Sequence, residues 1–166
     1  MPIVQRRRPS HPVIAANMPF VALYPSGRLA LWGLRYWATC ARRGRCPALL
    51  LRDVYLSAGV EGAPLRIDAL MRVFAYAARH PPQLGCPACT RLTDDEAALL
   101  NAMRSVQNGD VVDVEALLST WLPLHAARVA APSLVDYARL LRGAGYALSS
   151  AAVPLMVRMP QGASLH

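Results

Sequence analysis

The chain has 166 residues, 54% of them apolar, which is enough for one domain with a core of its own. No apolar run reaches the ~18 residues needed to span a bilayer. The formal net charge is +8 and every basic side chain is Arg. The first 52 residues hold nine arginines and no carboxylate, whereas residues 53–166 hold nine arginines and ten carboxylates. Such asymmetry points the first third toward an acidic macromolecule, nucleic acid or protein. Absence of Lys accompanies richness in Ala, Pro, Gly and Val, so codon bias explains it.

Residues 1–25 read as a Pro-rich basic arm. Arg6, Arg7 and Arg8 form its cluster, and Pro2, Pro9, Pro12, Pro19 and Pro25 forbid a continuous helix. The basic start followed by Val13 to Tyr24 has the order of a signal peptide. Asn17 and Pro19 interrupt its apolar part, and no small-residue cleavage site follows, so the expected location is cytoplasmic.

A helical domain is expected over residues 26–148. Its first helix runs from Arg28 to Arg43, after a possible Ser26 cap. Leu29, Trp32, Leu34, Trp37 and Ala41 form its apolar face, Arg28, Arg35, Arg42 and Arg43 the wet side, and Gly44 the stop. A second helix opens at Pro47 and ends near Gly59, with Leu50, Leu51, Val54 and Tyr55 inward. A third spans Pro64 to Arg79, with Leu65, Ala69, Leu70, Val73, Phe74 and Ala77 as its apolar side. Pro81-Pro82 ends it and leads into the stretch Leu84 to Glu96.

That stretch contains a Cys86-Pro87-Ala88-Cys89 turn followed by Thr93-Asp94-Asp95-Glu96. Thr93 can accept from the Glu96 amide and Glu96 from the Thr93 amide, a capping box that starts a fourth helix. Asp94 and Asp95 then favour the positive end of its dipole, so the three acids need no catalytic role. The helix should run to Gln107, burying Leu99, Leu100, Met103 and Val106, and close at Asn108-Gly109. Asp110 or Asp113 caps a fifth, carrying Val114, Leu117, Leu118 and Trp121. Pro123 ends or kinks it, and a short segment to Val129 follows. A sixth starts near Ser133, carries Leu134, Tyr137, Leu140 and Leu141, and stops at Gly143 or Gly145. Residues 149–166 form an extension in which Val153 to Met159 is a single strand or a docked tail. The fold class is all-α: about six short helices in an orthogonal or bundle-like array, with irregular N- and C-terminal arms.

Four cysteines in two local pairs suggest one structural zinc held by Cys40, Cys46, Cys86 and Cys89, with His80 as a substitute ligand. The x2 spacing of Cys86 and Cys89 is common for zinc; the x5 spacing of Cys40 and Cys46 is not. Inert core thiols or, in an exported chain, disulfides are the plainer readings. The domain is large enough to fold without metal, so zinc would lock a local region. Both cysteines of the turn precede the helix, and no βαβ pattern surrounds them, unlike a thioredoxin-type thiol.

Trp32, Tyr36 and Trp37, with Arg28, Arg35, Arg42, Arg43 and Arg45, form the one aromatic-basic cluster. The rings suit a core as well as base stacking, and the arginines suit phosphates or solvent. His80 reads as partly exposed at a helix end, His125 as a surface or packing residue, and His11 and His166 as tail residues. There is no Walker loop, Gly-x-Ser-x-Gly, Gly-rich dinucleotide loop or His-Glu-x-x-His, so the sequence leans away from an enzyme. The leading expectation is a regulatory or adaptor protein with a structural zinc. Arg6, Arg7, Arg8, Arg28, Arg35, Arg42, Arg43 and Arg45 would dock it on an acidic partner. The alternative is a thiol redox protein or sensor using Cys86 and Cys89, whose pKa Arg91 could lower. An enzyme would need a pocket gathering groups such as His80, His125 and Asp136.

Overall fold

The computed structural model describes residues 13–110 and 112–149. They form six α-helices: α1 (Pro25–Arg42), α2 (Ala48–Ser57), α3 (Ala63–Ala77), α4 (Asp94–Asn108), α5 (Val114–Leu118) and α6 (Leu124–Gly143). No strand occurs among the described residues; Pro19 and Arg91 make one isolated antiparallel bridge. Helix α6 is the spine, packed against α3, α4 and α5, while α1 packs on α3, α4 and α2. Arg6, Arg7, Arg8 and the strand or tail expected over 153–159 lie outside the described residues.

Local chemistry sets most boundaries. Thr93 and Glu96 make both bonds of the expected capping box, and Gly109 closes α4 in the left-handed region at φ 72. Asp113, not Asp110, caps α5 by accepting from the Ala116 amide at 2.8 Å. Helix α1 begins three residues before the expected start, with Pro25 in its first turn. The Ser26 hydroxyl is no cap; it donates to the Ala147 carbonyl at 2.8 Å.

Three expectations are corrected by packing. The segment after Pro123 and the sixth helix are one helix, with Pro132 inside it. An interior proline costs roughly 3 kcal/mol. Ala126, Ala127, Ala130, Ala131, Leu134, Tyr137, Ala138 and Leu141 are all buried on both sides of it, and that continuous stripe outweighs the loss. In α2, Leu50 is exposed along with Leu49 and Leu56; only Leu51 and Tyr55 are buried. Leu65 of α3 is exposed too.

Residues 13–24 dock on the body. Asn101 brackets Ile14, accepting from its amide and donating to its carbonyl. The amides of Asn17 and Phe20 donate to the Leu92 and Thr90 carbonyls, and the Leu92 amide donates to Met18. The far end is tied by Gln107, whose amide donates to the Ala138 and Tyr146 carbonyls and accepts from the Leu148 amide.

Tyr55 and Tyr137 meet in the centre, hydroxyl to hydroxyl at 2.7 Å. Each also reaches a carbonyl of α1, Tyr55 to Leu29 at 2.8 Å and Tyr137 to Ala30 at 2.9 Å. Burial raises both hydroxyl pKa values above the usual 10.0. In the unfolded chain these groups ionise as pH rises past that value, while the folded chain keeps their protons. The unfolded state then binds fewer protons, so their contribution is intact below the ordinary pKa and is lost at alkaline pH. Urea midpoints taken between about pH 9 and 11 should fall, and Tyr55→Phe should flatten that slope.

Candidate functional site

The loop before α4 is built on one fully buried ion pair. Arg35 and Glu96 have no exposed side-chain surface, and the guanidinium grips the carboxylate with two bonds, Nε to Oε1 at 2.7 Å and Nη2 to Oε2 at 2.8 Å. Its remaining bonds go to the loop: Nη1 donates to the Cys89 carbonyl at 2.7 Å and Nη2 to the Arg91 carbonyl at 2.8 Å. Glu96 in turn accepts from the amides of Gly85 at 2.8 Å and Thr93 at 2.9 Å. The Phe20 ring covers the guanidinium, 4.9 Å from ring centre to Cζ. Two ions out of water are tolerable only when so fully bonded.

Arg35 therefore does not belong to the wet side of α1, nor is it available to a partner. The helical wheel misplaces it because its charge is answered by a residue 61 positions away. Glu96 has a second role beyond the capping box for the same reason.

This scaffold presents the Cys-Pro-x-Cys turn. Cys86 and Cys89 are joined as a disulfide with Cα atoms 5.1 Å apart. The Cys89 amide donates to the Cys86 carbonyl at 3.0 Å, and the Cys86 amide donates to the Cys89 sulfur at 2.9 Å. Cys86 is exposed and Cys89 half-buried. Gly85 is needed for close approach: a Cβ there would stand 3.1 Å from the Cys89 Cβ and 3.3 Å from Arg35 Nη2.

The other two cysteines border the same cavity as the turn. A cavity of about 540 Å³ is lined by Cys40 and Cys46 together with Cys86, Pro87 and Ala88. Cys40 is buried in the last turn of α1, and Cys46 is exposed just before α2. Trp32 and Tyr36 stack along one wall, with ring centres 5.2 Å apart. The Tyr36 hydroxyl is pushed up in pKa, first by its hydrogen bond to Cys40, then by burial and the charge of Cys40; Arg45 opposes this and Cys46 adds to it.

The two cysteine pairs thus share a cavity but do not form a clamp. Among the described residues, no three His, Cys, Asp or Glu side chains are arranged to hold a metal ion. The four-cysteine zinc site has no support in this arrangement, because two of its ligands are bonded to each other. His80 is exposed and does not line the cavity, so it does not stand in as a ligand.

Arg43 and Arg45 line the cavity and are exposed, as is Arg42, which donates to Thr39 at 3.1 Å. Arg28 is half-buried, and its Nε is buried with no hydrogen-bond partner among the described residues. Trp37 belongs to the core, its indole N–H donating to Asp68 at 2.8 Å. The gathering of His80, His125 and Asp136 does not occur: both histidines are exposed, and neither lines the two cavities that include Asp136. No protein-family model matches the sequence, and neither a curated protein nor a solved structure matches it.

Proposed function

We propose that the chain is a thiol–disulfide switch in which Cys86 and Cys89 pass between a disulfide and a dithiol. The observation that carries this reading is the joined pair, held on a rigid loop at the edge of a cavity that two further cysteines line. The two sulfurs have different surroundings. Cys86 is exposed and faces the cavity, so it is the sulfur to be attacked. Cys89 already receives the Cys86 amide, and that donor would stabilise the thiolate that leaves.

The pair does not use a helix dipole. Both cysteines precede α4, and in its cap the Thr93 hydroxyl takes the Glu96 amide while Glu96 takes the Thr93 amide, so the thiol activation familiar at helix N-termini is missing. A switch that answers slowly to redox poise suits this site better than rapid turnover.

The test is a redox titration in defined thiol–disulfide mixtures, followed by acid quenching, alkylation and peptide mass mapping, with metal content measured in parallel. A single reversible two-electron transition at Cys86 and Cys89, in protein that stays folded, is expected. One zinc per chain, with both thiols alkylated only after chelation, would overturn it in favour of a zinc-stabilised adaptor. A pair that never joins in excess oxidised thiol would overturn it as well.

A further inference from the structure

The cavity beside the disulfide has a composition that selects among reductants. Its lining includes two arginines and, among the described residues, no carboxylate. Arg43 and Arg45 are exposed, and neither makes an ion pair among the described residues. By contrast Arg35, Arg52, Arg66, Arg72 and Arg128 are all paired with carboxylates. The volume, about 540 Å³, lies in the range of small-molecule sites. The stacked, half-buried Trp32–Tyr36 pair supplies a flat apolar wall, and Cys86 supplies an electrophilic sulfur.

We infer that this cavity receives a low-molecular-mass thiol carrying carboxylate groups, which is the redox partner of the Cys86–Cys89 pair. The inference rests on the switch proposed above and names its substrate class. Arg43 and Arg45 meet the carboxylates, and the apolar part of the molecule lies against Trp32 and Tyr36. Its thiolate attacks the Cys86 sulfur. A mixed disulfide to Cys86 forms, the bond to Cys89 breaks, and Cys89 leaves as a thiolate under the Cys86 amide. A second molecule of the thiol attacks the bound sulfur of the first. The small symmetrical disulfide departs, and Cys86 is left as a thiolate. Two small thiols are oxidised, one protein disulfide is reduced, and the two thiol protons end on Cys86 and Cys89. In reverse, the small disulfide oxidises the dithiol.

The experiment compares three reductants on the full chain: anionic 3-mercaptopropionate, neutral 2-mercaptoethanol and cationic cysteamine. Each rate of opening the Cys86–Cys89 bond, read by alkylation and mass mapping, is divided by that thiol's rate on neutral dimethyl disulfide, which is the symmetrical disulfide of none of the three. This removes differences in intrinsic nucleophilicity. The anionic thiol should lead the neutral one by about tenfold at low salt, with the cationic one slowest, and the spread should shrink toward 1 M salt. Arg43→Gln with Arg45→Gln should erase the order. Arg142→Gln, an exposed change away from the cavity, should leave it unchanged.

Equal normalised rates for the three thiols would overturn the inference while leaving the switch standing. Equal loss of selectivity in Arg142→Gln would also overturn it, because the net charge rather than the cavity would then steer the thiol. A bond that none of the three opens would sink the switch itself.

Discussion

Replacing Glu96 with Gln should cost the fold roughly 3–5 kcal/mol, the range for breaking one side of a buried ion pair. Glu96 accepts four hydrogen bonds, two from Arg35 and one each from the Gly85 and Thr93 amides. A neutral amide offers one acceptor oxygen in place of two. Its NH2 group would face donors, and the Arg35 charge would be left with no counter-ion in a site without solvent. Helix propensity does not decide the outcome, because Gln and Glu are near equals in a helix. The urea midpoint of the oxidised protein is the direct readout. Arg35→Met should be comparably costly, since it leaves the Glu96 charge unpaired and frees the Cys89 and Arg91 carbonyls. Combining Arg35→Met with Glu96→Gln should cost less than the two single changes added together, because no buried charge remains. The double variant should still fall short of wild type, since the loop amides and carbonyls lose their partners. Additive losses would mean that the pair is not coupled, and its role as the anchor of the cysteine turn would fall with that result.

Gly33→Ala is the second large effect, and its sign is the reverse of what local structure suggests. Gly33 lies inside α1, where alanine is favoured over glycine by about 1 kcal/mol. A Cβ at that position would overlap the Tyr55 hydroxyl, and it would stand 2.8 Å from Ile67 Cδ1 and 3.0 Å from Tyr55 Cζ. Tyr55 cannot step aside cheaply. Its ring is fully buried, and its hydroxyl is held by the Leu29 carbonyl and by Tyr137. Overpacking costs about 1–3 kcal/mol, occasionally more, and each displaced hydrogen bond adds about 1 kcal/mol. A net loss of about 3 kcal/mol in chemical denaturation is expected. Tyr55→Phe in the same chain should recover part of it by removing the overlapping oxygen. Gly143→Ala provides the contrast: it too is helical, with nothing near a new Cβ, and it should be neutral or slightly stabilising. A stabilised Gly33→Ala would contradict the close packing of α1 on α2.

These two sites mark where sequence reasoning reaches and where it stops. The all-α class and the approximate spans of α1 to α4 are written in local chemistry, whereas α5 stops at Leu118, short of the expected Trp121. Thr93 with Glu96, Asp113 and Gly109 act on backbone within a few residues of themselves, so the sequence displays both partners of each interaction. Periodicity failed where the deciding contact is remote. Arg35 looks solvent-facing on a helical wheel, yet a carboxylate from α4 and two carbonyls from the preceding loop meet it in the interior. Pro132 looks like a helix boundary until the alanine stripe on either side of it is seen buried as one surface. Leu50 looks like core until α2 is seen to turn only Leu51 and Tyr55 inward. For the cysteines, spacing identified the Cys86–Cys89 turn as a unit, because a tight turn is a local object. Placing Cys40 and Cys46 on one cavity with it required the end of α1 and the α4 loop to be brought together. That is done by the bonds of Arg35, a residue whose partners no local pattern in the chain reveals.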